Sequence, residues 1–197
     1  MARNSRSDPA PAPTARLFLA LEPCDEDRAA LADWRERLVV GRADQRPSAA
    51  ATLHLTLAFL GRRPEGEIAA IARSALGAVE GLPPALLHPG EVASVPRRGA
   101  PRLFALELAD EDARGAAIQA ATGAALARDG FWEPERRPWW PHITLARVRP
   151  RRRAAPLEAT VPAPGPLRAT RVTLYRSTLR PRGAEYDALE RIELRYG

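Results

Sequence analysis

The first sixty residues of the chain alternate between short apolar runs and one helical pattern. A strand-like apolar run at 16–21 (RLFLAL) is followed by an acidic turn. Apolar residues then recur at helical spacing over about 25–40, which predicts an amphipathic helix. A second strand-like run follows at 54–61 (HLTLAFLG), and its first residue is a histidine. This stretch therefore predicts the order strand, acidic turn, helix, loop, strand.

The second half of the chain repeats that order. Its strand-like runs lie at 102–108 (RLFALEL) and 141–147 (PHITLAR), around a helical pattern over about 111–128. The histidine follows the first arginine of its unit by 38 positions in the first half and by 40 in the second. The pattern predicts a duplicated α/β unit with the two histidines at equivalent points. The alternative is a chance likeness between two segments rich in Ala and Arg.

The remaining segments extend the same architecture. A further helix is predicted over 65–79, and further strands over 86–95, 171–179 and 188–194. Helices interleaved with strands and short hairpin-like links favour antiparallel pairing. The predicted fold class is α+β, a bilobal duplicated α/β unit with two antiparallel sheets around a pseudo-twofold central cleft.

The ends of the chain and its single cysteine limit the domain organisation. Residues 1–15 are rich in Pro, Ala and Ser and are predicted to be a disordered tail, which leaves 16–197 as a single bilobal domain. No run of 18 apolar residues occurs, so no membrane span is expected. Because Cys24 is the only cysteine, no internal disulfide is possible, and a cytoplasmic location is expected.

Each histidine begins a His-x-Thr-Leu sequence. Side chains alternate between the two faces of a strand, so His54 and Thr56 should share one face, opposite the leucines between them. The same alternation pairs His142 with Thr144. We expect the two polar faces to meet across one cleft, while Phe59 is predicted to belong to the core.

Two imidazoles beside two hydroxyls suit the opening of a cyclic phosphodiester. A neutral imidazole can take a proton from water while an imidazolium gives one to the leaving oxygen. Thr56 and Thr144 can bind phosphate oxygens, and Arg147 can offset negative charge. Metal binding is not expected, since the neighbours of the histidines are threonines rather than Asp, Glu or Cys. His88 has no such context and is predicted to be structural or exposed.

The basic composition also bears on function. The net charge is +6, and the 30 basic residues are all arginine. The absence of lysine excludes a lysine nucleophile and the lysine of a nucleotide-binding P-loop. Arginine-rich surfaces favour phosphate and RNA.

These motifs resemble those of the two-histidine phosphoesterase superfamily. The resemblance rests on RLFLAL, LHLTLAFLG (53–61), PHITLAR and LYRSTLRPRGAEYDAL (174–189), and it extends over 16–196. Within the superfamily, the sequence of these motifs is most similar to the RNA 2',3'-cyclic phosphodiesterases, also called 2'-5' RNA ligases. The resemblance implies hydrolysis of a 2',3'-cyclic phosphate end of RNA to a 2'-phosphate, with His54 as the acid and His142 as the base. The reverse assignment agrees equally well with the sequence.

The resemblance also implies that no cofactor is needed. Without lysine, ligation can only be the reverse of cyclic-phosphate opening, without ATP. The predicted partner is RNA with a cyclic phosphate end, and we expect a monomer. Arg147 and Trp140 are further candidates for contact with phosphate or RNA, and at least one of Trp139 and Trp140 is predicted to pack in the core. Two alternatives stay open, a phosphodiesterase for a small cyclic nucleotide and a non-catalytic RNA-end binding protein.

Overall fold

The computed structural model describes residues 12–159, 162–180 and 183–195. Within these residues, helices and antiparallel strands confirm the α+β class. The helices are α1 (Asp25–Val39), α2 (Ile68–Gly77) and α3 (Arg114–Arg128). The strands are β1 (Thr14–Pro23), β2 (Gln45–Pro47), β3 (Leu55–Pro64), β4 (Ala85–Val95), β5 (Leu103–Ala109), β6 (His142–Val148), β7 (Leu167–Arg180) and β8 (Gly183–Glu193). None of the helices in the described ranges is long and apolar enough to cross a membrane.

The elements follow the order that the sequence predicted for both halves. β1, α1 and β3 form the first series, and β5, α3 and β6 form the second. β1 starts at Thr14, two residues before the predicted start of the domain, and the predicted tail over 1–11 lies outside the described residues. The acidic residues that precede α3 cap it: the carboxylate of Asp110 accepts hydrogen bonds from the N–H groups of Gly115 and Ala116, at 3.1 and 2.7 Å.

Six strands form a closed circuit of hydrogen bonds. The order is β1–β3–β6–β5–β4–β7, and β7 pairs again with β1. All of these pairs are antiparallel. β2 adds to β6, and β8 adds to β7.

This closure corrects the prediction of two separate antiparallel sheets. The described strands belong to one connected sheet, because β7 is long enough to pair with strands of both halves. Its first residues, Leu167 to Ala169, pair with β4, while Ala169 to Arg176 pair with β1. On the other side of the circuit, β3 and β6 are joined by one register pair, Leu55 with Ile143.

The segment of His54 and the start of β3 confirm the predicted alternation. Leu53 and Leu55 are fully buried and Leu57 is 3% exposed, whereas His54 and Thr56 are only partly buried. In β6, Ile143 and Leu145 are fully buried, between the partly buried His142 and Thr144. These leucines and Ile143 belong to one core cluster that also includes Trp34 of α1 and Ile71 of α2. The histidines and threonines therefore lie on segments whose opposite face packs in the hydrophobic core.

The prediction that Phe59 belongs to the core is wrong. It is 59% exposed, because the register between β1 and β3 shifts between Leu19 and Ala20. The shift leaves Leu57 without a partner in β1, so that Leu57 and Ala58 are both buried and Phe59 turns to the face of His54.

Candidate functional site

The imidazole of His54 is held by its own chain and by an aromatic ring. Its Nδ1–H donates a hydrogen bond to the carbonyl oxygen of Thr52 at 2.8 Å, and the hydroxyl oxygen of Thr56 lies 3.4 Å from its Nε2. Phe18, which follows the first buried leucine of β1, stacks on the ring with centroids 5.0 Å apart. Tyr186 of β8 lies edge-on to the same imidazole, at 5.6 Å between centroids. These contacts fix the ring and leave Nε2 for chemistry.

His142 is held in the same way by its main chain but by a different ring. Its Nδ1–H donates to the carbonyl oxygen of Trp140 at 2.8 Å. The indole of Trp140 stacks on the imidazole, with centroids 3.9 Å apart and planes 19° from parallel. In both histidines a carbonyl two residues earlier accepts the Nδ1 proton. The neutral rings therefore carry their lone pair on Nε2, and the protonated rings present an Nε2–H donor.

The register between β3 and β6 brings the two motifs together. Leu55 pairs with Ile143, and each is the central residue of its His-x-Thr sequence. The histidine and threonine of each motif flank this pair on the face opposite the buried Leu55 and Ile143. The two imidazoles and two hydroxyls therefore come from adjoining segments.

A cavity of about 630 Å³ opens over this arrangement. It is lined by five of the six residues that the sequence singled out, namely His54, Thr56, His142, Thr144 and Arg147. The sixth, Trp140, lines a second cavity of about 500 Å³ between α3, β3 and the loop over 131–140. His142 and Thr56 line both cavities, so the two spaces meet at the histidine of β6.

Burial disfavours the charged form of both rings. It lowers the pKa of His54 to about 4, and the nearby charges of His142 and Arg147 act in the same direction, while the Thr52 carbonyl and Glu22 act against it. Burial also lowers the pKa of His142, against the effects of the Trp140 carbonyl and Glu107. Both imidazoles are therefore neutral in the free site near pH 7.

The tryptophans before β6 have structural contacts. Trp139 packs against the core cluster, which confirms that one of the pair has this role, and its indole N–H donates to the carbonyl oxygen of Thr56 at 3.0 Å. The indole N–H of Trp140 donates to Glu107 at 2.8 Å. Contact of Trp140 with RNA stays a prediction. His88 lies partly buried in β4 and lines neither cavity.

Sequence reasoning missed Arg46 as a residue of the cavity. It lies in β2 opposite Arg147 of β6, and both side chains line the cavity together with Arg16 and Arg180. The guanidinium of Arg46 lies against Gly183, where a Cβ atom would come within 2.2 Å of Nη1. The sequence signal was the Arg-Pro pair before the first motif, but its pairing with β6 cannot be seen in the sequence.

Replacing Arg46 by glutamine is expected to lower kcat/KM for a phosphodiester substrate about tenfold, since a hydrogen bond to a charged group contributes about 1.5–3 kcal/mol. The loss should appear in KM rather than in kcat, because the positive charge attracts the anion before and during the reaction. The matched control is Arg37→Gln, on the exposed side of α1. An unchanged KM in Arg46→Gln, or an equal rise in the control, would contradict a binding role.

The other missed residues surround His54. Phe18 also stacks on Tyr175, whose hydroxyl donates to the buried carboxylate of Glu22 at 2.9 Å. Burial and the charge of Glu22 raise the pKa of Tyr175 to about 12, so this phenol stays protonated. Arg28 pairs with the same carboxylate at 2.9 Å. No group of three or more His, Cys, Asp or Glu side chains within the described ranges is arranged to hold a metal ion.

Comparison with known proteins identifies the family of the chain. The family model described as the 2'-5' RNA ligase superfamily matches residues 23–180, a span that includes both His-x-Thr motifs. The chain belongs to the 2'-5' RNA ligase superfamily. The predicted family is thereby confirmed.

Two curated members of the superfamily are similar over nearly their whole length. A Thermus thermophilus protein named RNA 2',3'-cyclic phosphodiesterase is 31% identical over 190 residues, which cover 91% of this chain and 90% of the relative. An Escherichia coli protein of the same name is 32% identical over 182 residues, covering 89% of this chain and 94% of the relative. Among solved structures, Escherichia coli LigT complexed with 3'-AMP has a TM-score of 0.70 and 29% identity, and the match covers 92% of this chain and 99% of LigT.

Proposed function

We propose that this protein is a metal-independent phosphodiesterase that hydrolyses the 2',3'-cyclic phosphate end of RNA to a 2'-phosphate. The main support is the single register pair Leu55–Ile143, which puts both His-x-Thr motifs on one face of the sheet, over one cavity. The names of the two curated relatives support the same activity. The arginines of the cavity favour an anionic substrate.

The proposed reaction needs the two Nε2 atoms in different protonation states. One neutral imidazole takes a proton from water, whose oxygen forms a bond to phosphorus. The bond from phosphorus to O3' breaks, and the other imidazole, protonated, gives its Nε2 proton to O3'. The product carries a 3'-hydroxyl and a 2'-phosphate. Each histidine contributes on the order of 10²–10⁴ in rate.

The remaining residues bind charge in this proposal. The hydroxyls of Thr56 and Thr144 donate hydrogen bonds to non-bridging phosphate oxygens. Arg147 offsets the charge that develops as water attacks, and Arg46 attracts the anionic substrate. The reaction needs no metal, because the imidazoles supply the proton transfers and the arginines the positive charge. The same groups allow 2'-5' ligation if the 5'-hydroxyl of a second RNA replaces water, and the chain, without lysine, has no residue for a lysyl-nucleotide intermediate.

The assignment of acid and base depends on the bound phosphate. The sequence resemblance implies His54 as the acid, whereas a pKa of about 4 in the free site favours neutral His54 as the base. A substrate with an activated leaving group distinguishes the two assignments, because such a leaving group departs without help from an acid.

The decisive test is incubation with an oligoribonucleotide that ends in a 2',3'-cyclic phosphate. We expect a 2'-phosphate product, with the rate unchanged by EDTA. Tight binding without turnover would favour the non-catalytic RNA-end binding protein, and loss of activity with EDTA would contradict metal independence.

A mononucleotide with the same end should react more slowly at low salt, because the oligonucleotide offers further phosphates to the exposed arginines. Equal rates would favour the small cyclic nucleotide as substrate.

A further inference from the structure

Trp140 contacts His142 through two independent parts. Its carbonyl oxygen accepts the Nδ1 proton of the imidazole at 2.8 Å, and its indole covers one face of the same ring at 3.9 Å. The hydrogen bond fixes the tautomer but allows the ring to tilt about it. A stacked aromatic plane removes that freedom. The two contacts together determine where Nε2 of His142 points.

The indole is itself held in place from β5. Its N–H donates to Oε1 of Glu107 at 2.8 Å, and Glu107 lies opposite His142 in the β5–β6 register. Arg97 pairs with the same carboxylate oxygen, and its guanidinium carbon lies 5.9 Å from the centre of the Trp140 ring. Pro141 restricts the backbone of Trp140 to extended conformations and accepts a hydrogen bond from the N–H of Leu108 at 3.0 Å. A chain of contacts thus runs from Arg97 and Glu107 through Trp140 to the imidazole.

His54 has no such arrangement. The residue whose carbonyl accepts its Nδ1 proton is Thr52, and the ring that stacks on it is Phe18 from another strand. The two histidines therefore share their main-chain hydrogen bond but differ in the aromatic surface that orients them. Only at His142 does one residue supply both contacts, and only there is that residue tied to a carboxylate.

We propose that Trp140 is a positioning residue for His142, held by Glu107, and that this pair keeps Nε2 of His142 directed at the phosphate. The inference rests on the proposed function for the meaning of its kinetic results. Its geometric part can be tested without turnover. Other charged groups face His142 or the spaces next to it: Glu107 and Arg97 behind the indole, His54 and Arg147 in the cavity, and Glu135 and Arg137 in the second cavity.

Three substitutions separate the contacts. Trp140→Leu removes the stacked plane, and kcat is expected to fall at least tenfold while KM changes less than about threefold, because misorientation affects the transition state more than binding. Trp140→Phe keeps a stacked ring and should restore kcat to within about threefold of the wild type. Glu107→Gln keeps an acceptor for the indole N–H but removes the charge that favours imidazolium at His142. It should move the basic limb of the pH profile to lower pH.

The titration of His142 followed by NMR gives a readout that does not depend on activity. Its signals can be assigned by comparison with His54→Gln and His88→Gln. In Glu107→Gln the midpoint of His142 should fall, while that of His54 changes less. The matched control is Trp132→Leu, because Trp132 also lines the second cavity but packs on Gly123 of α3. It should leave both the kcat and the midpoint unchanged.

The proposal would be overturned by wild-type kcat in Trp140→Leu, by an equal loss of kcat in the Trp132 control, or by an unchanged His142 midpoint in Glu107→Gln. If the wild-type protein hydrolyses no cyclic phosphate, the proposed function fails, but the NMR midpoints still test the positioning of His142. The two failures are therefore distinguishable.

Discussion

Replacing either His54 or His142 by glutamine is expected to lower kcat for cyclic-phosphate opening by about 10²–10⁴-fold. Glutamine keeps a polar side chain of moderate size but cannot exchange a proton near neutral pH. KM should change much less than kcat, because the threonine hydroxyls and the arginines proposed to bind phosphate remain. Steady-state kinetics on a cyclic-phosphate oligonucleotide measure both parameters.

The matched control is His88→Gln, since His88 lines neither cavity. It should keep wild-type kcat. The double variant of His54 and His142 should lose less than the product of the two single losses, because the two rings act as one unit in a concerted transfer. Full activity in either single variant would contradict two-histidine catalysis.

A phosphodiester with an activated leaving group then separates the two histidines. The variant that lacks the acid should regain much of its relative activity on this substrate, while the variant that lacks the base should not. Recovery in His54→Gln supports His54 as the acid, and recovery in His142→Gln supports the reverse assignment. Equal behaviour of the two variants would contradict the division into acid and base.

The pH dependence of kcat/KM is expected to have its maximum on the acid side of pH 6.5. Productive sites carry one proton between the two imidazoles. Burial lowers the pKa of His54 from its ordinary value of about 6.5 to about 4 and lowers the pKa of His142 below its ordinary value. Above pH 6.5 both rings are neutral, so kcat/KM should fall about tenfold for each further unit of pH, or about 100-fold over two units.

The pH dependence of kcat should differ from that of kcat/KM. A bound phosphate anion favours the imidazolium form, so the basic limb of kcat is expected at higher pH than that of kcat/KM. Initial rates from pH 4 to 9 at constant ionic strength measure both limbs. A kcat/KM that rises between pH 6.5 and 8 would contradict the lowered pKa values of the two histidines.

The sequence was sufficient to predict the two faces of the His-x-Thr segments, because the alternation of apolar and polar residues is a local pattern. Alternation with a period of two residues gave the buried leucines on one side and the polar pair on the other. The same rule failed at Phe59, because the register shift opposite Leu19 and Ala20 depends on how β3 pairs with β1. Pairing between distant strands leaves little trace in the residues of either strand.

Strand pairing also explains the other differences between the sequence predictions and the structure. The prediction of two sheets failed because β7 is one long strand that contacts both β4 and β1. Arg46 was missed because a strand of three residues has no recognisable period. The contact between Trp140 and Glu107 depends on the β5–β6 register, and the sequence showed only a tryptophan near a histidine motif.

The closed circuit of strands has a consequence for the distance between the two imidazoles. β3 and β6 share one register pair, which brings the two motifs together at a single point. The further pairings through β1, β7, β4 and β5 join the same two strands by a second route. We therefore expect changes in surface loops to disturb the approach of the two imidazoles less than changes within these strands.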